Sequence, residues 1–213
     1  MTISENLAAV EARIRAACDR AGRKRGDVTL VAVSKTFGAD RIDEAIAAGV
    51  THIGENRVQE ARDKKSQVRN SARWHLIGHL QSNKAKDAVG IFDVIETVDS
   101  VDLAQKIARA SETARDVLLQ VNVGDEPQKS GVEPRDVNNI VQQIRTINNI
   151  QLIGLMAIPP IGDARKHFRR LREIRDQVGL KHLSMGMSED FEIAIEEGST
   201  MVRIGRAIFG PRG

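Results

Sequence analysis

The 213-residue sequence is 41% hydrophobic, which is enough to bury one sizeable core and fits a single α/β domain. Its 32 basic and 29 acidic residues nearly balance, so the totals give no indication of a nucleic-acid or membrane surface. A single cysteine, Cys18, excludes an internal disulfide and fits a reducing compartment.

The N-terminal segment predicts a cytoplasmic protein. Glu5, Glu11 and Arg13 interrupt it, and it lacks the continuous apolar stretch of a signal peptide. No segment of the sequence approaches the roughly 20 apolar residues that a membrane span needs. We therefore expect a cytoplasmic protein without a membrane anchor.

The chain begins with a predicted helix and continues as alternating strands and helices. The segment Thr2-Ile3-Ser4-Glu5 is typical of a capping box, and apolar residues then recur at helical spacing until about Gly22. Short apolar segments predict eight strands at 28–34, 51–54, 74–77, 93–98, 117–123, 151–157, 182–185 and 200–204. Helices are predicted between them, among others at 40–48, 57–68, 102–110, 135–147, 164–178 and 189–197.

This alternation predicts the fold class. Strands that alternate with helices form parallel βαβ units. Eight units without a linker or low-complexity break favour a closed (β/α)8 TIM-type barrel with an extra N-terminal helix, as one domain over residues 1–213. An open doubly wound sheet is the alternative.

Lys35 follows the first predicted strand directly. In a parallel barrel, functional groups lie at the carboxyl ends of the strands, and the lysine stem there is held by the core. A desolvated amine is more easily neutral, and a neutral amine attacks an aldehyde to form a Schiff base. Lys35 is therefore the first candidate functional residue.

Two later loops are candidates for a phosphate site. The loop from Ser184 to Ser188 contains small residues and a glycine, and it leads into a predicted helix. Ser188 also fits the N-cap of a helix starting at Glu189. Gly205 and Arg206 follow the eighth strand, so the two loops match the usual phosphate position of such a barrel.

Arg203, His75 and His79 are further polar residues in or next to predicted strands. Arg203 shares a strand face with Met201, and its buried charge requires either a structural carboxylate or a ligand heteroatom. His75 and His79 flank a strand end rather than lying on a helix, so a metal pair is not expected.

The basic helix 165–175 has helical apolar spacing and is interpreted as an outer helix with a solvated basic face.

Ordered motifs over almost the whole chain resemble the pyridoxal phosphate homeostasis protein family. The matching segments are Val31-Ala32-Val33-Ser34-Lys35-Thr36, His52-Ile53-Gly54-Glu55-Asn56-Arg57-Val58-Gln59-Glu60, Trp74-His75-Leu76-Ile77-Gly78-His79-Leu80-Gln81-Ser82-Asn83-Lys84, Lys129-Ser130-Gly131, Gly154-Leu155-Met156-Ala157, Leu183-Ser184-Met185-Gly186-Met187-Ser188 and Val202-Arg203-Ile204-Gly205-Arg206-Ala207-Ile208-Phe209-Gly210. That family resembles the barrel domain of alanine-racemase-type (fold type III) enzymes.

The resemblance implies a cofactor and its ligands. It implies that Lys35 holds pyridoxal 5′-phosphate (PLP) as a Schiff base and that Arg203 faces the pyridine nitrogen. It further implies that Ser188, Gly205 and Arg206 bind the phosphate. Asn56 and Met156 would flank the ring, and His79 and Ser184 would lie nearby.

The sequence departs from the family pattern at two positions. Arg206 stands where many members carry Thr or Ser, and Arg57 stands where some carry Tyr. A hydroxyl contact to the phosphate is therefore not expected from residue 206, nor a ring contact from residue 57.

Two features argue against turnover. A permanently charged arginine opposite the ring nitrogen disfavours the protonation that makes the cofactor an electron sink. Two-base racemisation needs a second acid or base, which the resemblance assigns to a tyrosine of an added β-domain in the related racemases. This sequence contains no tyrosine. We therefore expect cofactor binding without strong catalytic activity.

The resemblance thus implies a buffer or carrier of PLP that supplies apo-enzymes. A monomer is expected, because the dimer contacts of the larger enzymes involve the added β-domain. The alternatives are a PLP-dependent amino-acid racemase or lyase, a Schiff-base aldolase acting on a sugar phosphate, and an interaction module that uses the basic helix. No metal site is predicted.

Overall fold

Eight parallel strands close into a barrel in the described part of the chain. The computed structural model describes residues 2–124, 126, 130–160 and 162–211. The strands follow one another around the barrel in chain order, and the last pairs with the first. The predicted (β/α)8 barrel is therefore confirmed, and the open doubly wound sheet is wrong. Lys129, which belongs to one of the family motifs, lies outside the described residues.

The strands and helices of the described residues alternate along the chain. The strands are β1 (Thr29–Val33), β2 (His52–Glu55), β3 (Arg73–Leu76), β4 (Val94–Val98), β5 (Arg115–Gln120), β6 (Ile150–Met156), β7 (His182–Ser184) and β8 (Met201–Ile204). The helices are α1 (Ile3–Arg20), α2 (Ala39–Ala47), α3 (Val58–Lys65), α4 (Ala85–Ile91), α5 (Val101–Ala110), α6 (Val137–Arg145), α7 (Ala164–Val178), α8 (Phe191–Glu196) and α9 (Arg206–Phe209). All eight predicted strands are confirmed, with small shifts at their ends.

The strands separate two hydrophobic cores. One strand face packs against the surrounding helices and forms the larger core. The smaller core lies inside the barrel and consists of Val94, Leu118, Met156 and Met201. Because side chains alternate along a strand, Arg203 shares the inward face with Met201, as predicted. The barrel interior is therefore apolar in one part and polar in another.

The extra N-terminal helix, α1, is confirmed together with its capping box. The Thr2 hydroxyl accepts a hydrogen bond from the Glu5 N–H (3.2 Å), and the Glu5 carboxylate accepts one from the Thr2 N–H (2.8 Å). The buried side of α1 packs against α8 and α9. An ion pair between Arg13 and Glu192 (2.7 Å) joins α1 to α8 at the surface.

The basic helix α7 has its predicted bounds, but its basic face is not simply solvated. Gly179 ends the helix with a left-handed conformation (φ 64°), which glycine adopts without steric cost. Three arginines of α7 approach the carboxylate of Glu197, which follows α8. These are Arg165 (2.8 Å), Arg169 (3.3 Å) and Arg172 (3.1 Å). Part of the positive face is therefore ion-paired within the protein.

The helix predicted at 189–197 begins later than expected. It starts at Phe191, and Asp190 rather than Ser188 occupies the N-cap position. The Asp190 carboxylate accepts a hydrogen bond from the Met187 N–H (2.7 Å) and so closes a turn before the helix. The prediction that Ser188 caps this helix is therefore wrong. Across the described residues, no helix combines the length and apolarity needed to cross a membrane.

Candidate functional site

A cavity of about 670 Å³ opens at the carboxyl ends of the strands. Such a volume is typical of small-molecule sites. Its lining includes six of the nine predicted site residues, namely Lys35, Asn56, Ser188, Arg203, Gly205 and Arg206. These residues follow or belong to β1, β2, β7 and β8, so the barrel brings together positions that are distant in the sequence. This is the rim at which a barrel of this kind places its functional groups.

Three predicted site residues lie elsewhere. Among the described residues that line the cavity, His79, Met156 and Ser184 do not appear. The His79 ring is largely exposed and lies 3.6 Å from the Asp99 carboxylate. Met156 is fully buried in the core inside the barrel. Ser184 is buried and contacts Arg203, so it reaches the cavity only through that side chain.

Lys35 occupies the second position of a tight turn. The Phe37 N–H donates to the Ser34 carbonyl (3.0 Å), which closes a β-turn over residues 34–37. Thr36, the third residue of the turn, has a φ of 73°. A type II turn requires a positive φ at that position and usually places glycine there, whereas a residue with a Cβ costs about 1–2 kcal/mol. The backbone next to Lys35 is therefore strained.

Side chains from β2 and α3 hold this turn from below. Lys64 donates to the Ser34 carbonyl (2.9 Å) and to the carboxylates of Glu55 (2.8 Å) and Glu60 (2.6 Å). The Thr36 N–H donates to Glu60 (2.6 Å), and the Ser34 hydroxyl donates to Glu55 (2.6 Å). We call Ser34, Glu55, Glu60 and Lys64 the rim cluster.

The two acids of the rim cluster differ in their pKa. Burial raises the pKa of Glu55, although Lys64 and the Ser34 hydroxyl act in the opposite direction. For Glu60, burial also acts to raise the pKa, but the bonds from Lys64 and the Thr36 N–H outweigh it and lower the value. One oxygen of Glu55, Oε2, is buried and has no hydrogen-bond partner among the described residues. Glu55 is therefore the less well satisfied of the two.

A second polar cluster crosses the barrel interior and ends at the cavity. His52 Nδ1 lies 2.8 Å from His75 Nε2, and His75 Nδ1 lies 2.6 Å from Glu96. The other Glu96 oxygen accepts from the Ser184 hydroxyl, which accepts from Arg203 (2.6 Å). Because an ionised carboxylate only accepts, His75 Nδ1 donates to Glu96. We call these five residues the interior network.

The partners of Arg203 belong in part to the interior network. Its guanidinium lies 3.9 Å from Glu96, donates to Ser184 and to the Ala157 carbonyl (2.9 Å), and also lines the cavity. The structural carboxylate is therefore present, and the cavity is within reach as well. Burial lowers the pKa of Arg203, opposed by the charges of Glu96 and Asp190, and the guanidinium stays protonated.

The acid and the outermost histidine of the interior network have shifted pKa values. Burial alone would raise the pKa of Glu96, but the hydrogen bond from His75 and the charges of His75 and Arg203 lower it overall. Burial lowers the pKa of His52 to about 4, helped by His75 and Arg73. At neutral pH the network therefore contains an ionised Glu96 and a neutral His52.

The cavity combines positively charged and apolar side chains. Lys35, Arg203 and Arg206 contribute positive charge, and Glu189 lies 3.5 Å from Arg206 where both side chains are largely exposed. Apolar side chains contribute another part of the wall, including Phe37, Ile77, Ile158 and Met187. A Cβ added at Gly205 would come within 3.0 Å of the Val33 carbonyl, so glycine allows β1 and the loop after β8 to approach.

Sequence reasoning missed the partners that orient the predicted residues. Glu60 and Lys64 are spaced as an i,i+4 pair on α3, which is a recognisable signal of an ion pair but not of its contact with Ser34. Glu96 is the one charged residue of the otherwise uncharged strand β4, a pattern that indicates a buried acid with an unknown partner. Within the described residues, no group of three or more His, Cys, Asp or Glu could hold a metal ion.

Comparisons with known proteins identify the family. A family model described as the alanine racemase N-terminal domain matches residues 6–213. The pyridoxal phosphate homeostasis protein of Aquifex aeolicus (strain VF5) is 43% identical, with 100% of this chain and 99% of that protein aligned. Its namesake in Pseudomonas aeruginosa is 45% identical over 99% of this chain and 96% of that protein.

A solved structure agrees with this assignment. PipY of Synechococcus elongatus PCC7942, determined with PLP bound, superposes with a TM-score of 0.88 at 36% identity. The superposition covers 98% of this chain and 100% of that chain. The family resemblance read from the motifs is therefore confirmed. The chain belongs to the pyridoxal phosphate homeostasis proteins, within the larger group that shares the alanine racemase N-terminal domain.

Proposed function

We propose that the chain binds PLP in the cavity at the barrel rim, holds it as a Schiff base on Lys35, and serves as a buffer or carrier in PLP homeostasis. The observation that carries the proposal is the position of Lys35 on a cavity whose other polar lining residues are Asn56, Ser188, Glu189, Arg203 and Arg206 in the described part of the chain. The PLP-bound PipY structure, at 36% identity, supports it further.

The residues of the cavity fit the aldehyde, the phosphate and the ring nitrogen of this cofactor. Lys35 supplies the amine that an aldehyde requires, and Ser188, Gly205 and Arg206 supply hydroxyl, backbone and guanidinium groups for a phosphate. Arg203 presents a charged donor for the side of the ring that carries the nitrogen, and Asn56 lies along the wall.

The three predicted residues outside the cavity wall have indirect roles in this proposal. Ser184 holds the guanidinium of Arg203 through its hydroxyl (2.6 Å). Met156 fills the barrel interior beneath the site, and His79 lies at the rim beside Asp99. None of the three is proposed to contact the reacting carbonyl group.

Binding is proposed without strong turnover. PLP, when bound, supplies an electrophilic carbonyl group and a conjugated ring that can withdraw electrons. Arg203 is held beside Glu96 as a protonated guanidinium, and a positive charge near the ring nitrogen disfavours its protonation. The racemase, lyase and aldolase alternatives are not favoured, since relatives at 43% and 45% identity carry the homeostasis name.

The proposal extends to the setting of the protein. Residues 1–213 are proposed to act as one PLP-binding domain, as a monomer in the cytoplasm, with PLP-dependent apo-enzymes as recipients. The single, buried cysteine fits a reducing compartment.

Absorbance of the purified protein tests the proposal. Wild-type protein with added PLP is expected to absorb in the visible range, and borohydride is expected to fix the cofactor on Lys35. Lys35→Ala removes the amine and should abolish both signals. Lys106→Ala, which removes a lysine paired with Asp102 on α5, is the matched control and should keep both. A wild-type protein that stays colourless with added PLP would contradict the proposal.

A further inference from the structure

We propose that Glu60 and Lys64 are positioning residues that set the direction and the reactivity of the Lys35 amine. They bind the peptide groups on both sides of Lys35, and no contact between either of them and a ligand is required. This inference rests on the proposed function, because it assigns a task to residues next to the proposed Schiff-base lysine.

The contacts enclose Lys35 in the sequence. Lys64 donates to the Ser34 carbonyl (2.9 Å), immediately before Lys35, and Glu60 accepts from the Thr36 N–H (2.6 Å), immediately after it. The two anchoring side chains come from α3 and not from the turn itself. The backbone of Lys35 is therefore fixed at both ends by one neighbouring helix.

The anchors are also fixed to each other and to the barrel. Lys64 donates to Glu60 (2.6 Å) and to Glu55 (2.8 Å) at the end of β2, and only 8% of Lys64 is exposed. Charge-assisted hydrogen bonds of this kind are short and strong. Because Lys64 is buried and bonded to β2, α3 and the turn at once, the position of the turn relative to β2 and α3 is fixed.

The strained residue of the turn explains why such anchors are needed. Thr36 has a φ of 73°, a conformation that β-branched residues rarely adopt. Thr36 is exposed, so when the hydrogen bond to Glu60 is lost, water can bind the Thr36 N–H and the turn can relax. Lys35 carries its amine on a flexible four-carbon stem, so a change at its Cα shifts the volume that the amine searches.

Glu60→Ala is the main test, with Glu60→Gln as the conservative variant. Glu60→Ala removes the acceptor of the Thr36 N–H, whereas Glu60→Gln keeps an acceptor oxygen at the same position. Lys64→Met removes the donor to Ser34. Asp102→Asn is the matched control, because Asp102 and Lys106 form another i,i+4 pair (2.7 Å) on a helix, and the Asp102 side chain is largely exposed.

Two readouts are independent of the bound cofactor. Amide hydrogen exchange at Thr36 should become about 10- to 100-fold faster in Glu60→Ala, as loss of a charged hydrogen bond predicts. Trace acetylation of the protein without PLP, followed by peptide mass spectrometry, reports the reactivity of the Lys35 amine. Its rate relative to the exposed Lys86 should change at least about threefold in Glu60→Ala and return toward wild type in Glu60→Gln.

The third readout concerns PLP itself. Formation of the borohydride-trapped product on Lys35 should slow about 10-fold or more in Glu60→Ala and Lys64→Met, and stay within about twofold in Asp102→Asn. Thermal unfolding of each variant is measured in parallel. A lower melting temperature with unchanged acetylation and trapping would overturn the inference, because the residues would then be merely structural.

The design separates the two proposals. A wild-type protein that takes up no PLP ends the proposed function, while acetylation and exchange still decide whether Glu60 positions Lys35. A wild-type protein that binds PLP, with Glu60→Ala equal to it in all three readouts, ends the positioning inference alone. If Lys64→Met does not fold, Glu60→Ala decides, because the Glu60 side chain is 26% exposed and its removal leaves no buried cavity.

Discussion

The interior network and the rim cluster are built from similar parts but end differently. In the interior network, Glu96 accepts from Ser184, and the chain of contacts ends at the guanidinium of Arg203 in the cavity. In the rim cluster, Glu55 accepts from Ser34 and from Lys64, and the contacts end at backbone groups of the Lys35 turn. The interior network therefore holds a charged side chain at the cavity, whereas the rim cluster fixes the backbone conformation of the Lys35 turn.

Glu96 of the interior network and Glu55 of the rim cluster also differ in the direction of their pKa shifts. The pKa of Glu96 is lowered although burial opposes this, because both of its oxygens accept hydrogen bonds and Arg203 is near. Burial raises the pKa of Glu55, which has one buried oxygen without a partner among the described residues. The interior network is thus well satisfied by its own members, whereas the rim cluster tolerates an unsatisfied acceptor next to the turn that it holds.

The largest expected effect follows from removing the acid of the interior network. Glu96→Leu removes the buried carboxylate that lies 3.9 Å from the guanidinium of Arg203, and we expect the free energy of unfolding to fall by about 3–5 kcal/mol. Urea denaturation at pH 7 measures it. A loss below about 1 kcal/mol would contradict the role of Glu96 as the counter-charge.

A double variant is the control for this prediction. In Glu96→Leu combined with Arg203→Met, both charges are absent and apolar side chains replace them, so much of the stability should return. The double variant should also retain less PLP than wild type, because the cavity has lost its buried cation. If the double variant is less stable than Glu96→Leu alone, the charge argument is wrong and packing decides the effect.

Much of this fold was predictable because its determinants are local. The segment 28–34 is a short run of apolar, mostly β-branched residues, and β1 forms within it at Thr29–Val33. The capping box at Thr2 and Glu5 likewise depends on residues three positions apart. The start of α8 was missed because Asp190 closes a turn with Met187, and local propensity does not distinguish its side chain from that of Ser188.

The site was predictable only in part, for a related reason. Lys35 and Arg203 could be placed because the end of a barrel strand is a position that the sequence reveals. Their partners could not, because Glu96 and Ser184 are 88 residues apart and Lys64 and Ser34 are 30 apart. A single sequence shows that a buried charge needs a partner, but not which partner the closed barrel brings near.

A medium effect is expected from acid, and His52 of the interior network contributes to it. Burial lowers the pKa of His52 from 6.5 to about 4, so the unfolded chain takes up this proton first as pH falls below 6.5. The network's contribution is therefore complete above pH 6.5 and is lost progressively toward pH 4. A shift of this size is worth about 3 kcal/mol in a fully buried group. His52 is only partly buried, so we expect about 1–2 kcal/mol.

Urea denaturation at several values between pH 7 and pH 4.5 measures this loss, and His52→Gln is the matched variant. Glutamine keeps a polar group next to His75 but cannot titrate, so the variant should lose less stability than wild type over this interval. Glu55 has the opposite sign, because its raised pKa favours the protonated folded form as pH falls. A wild-type slope equal to that of His52→Gln would mean that the interior network does not sense pH through His52.

The smallest expected effect concerns Arg206, which belongs to neither cluster. Its side chain is 74% exposed and lies 3.5 Å from an equally solvated Glu189, so water screens most of its charge. Arg206→Ala should therefore weaken PLP binding only about two- to fivefold at low salt, measured by absorbance titration, and less at high salt. Arg203 faces the same cavity from a buried position with fixed partners, so its replacement should have a larger effect that salt hardly changes. Equal losses and equal salt dependence for the two arginines would show that burial within the interior network adds nothing to the electrostatics of the cavity.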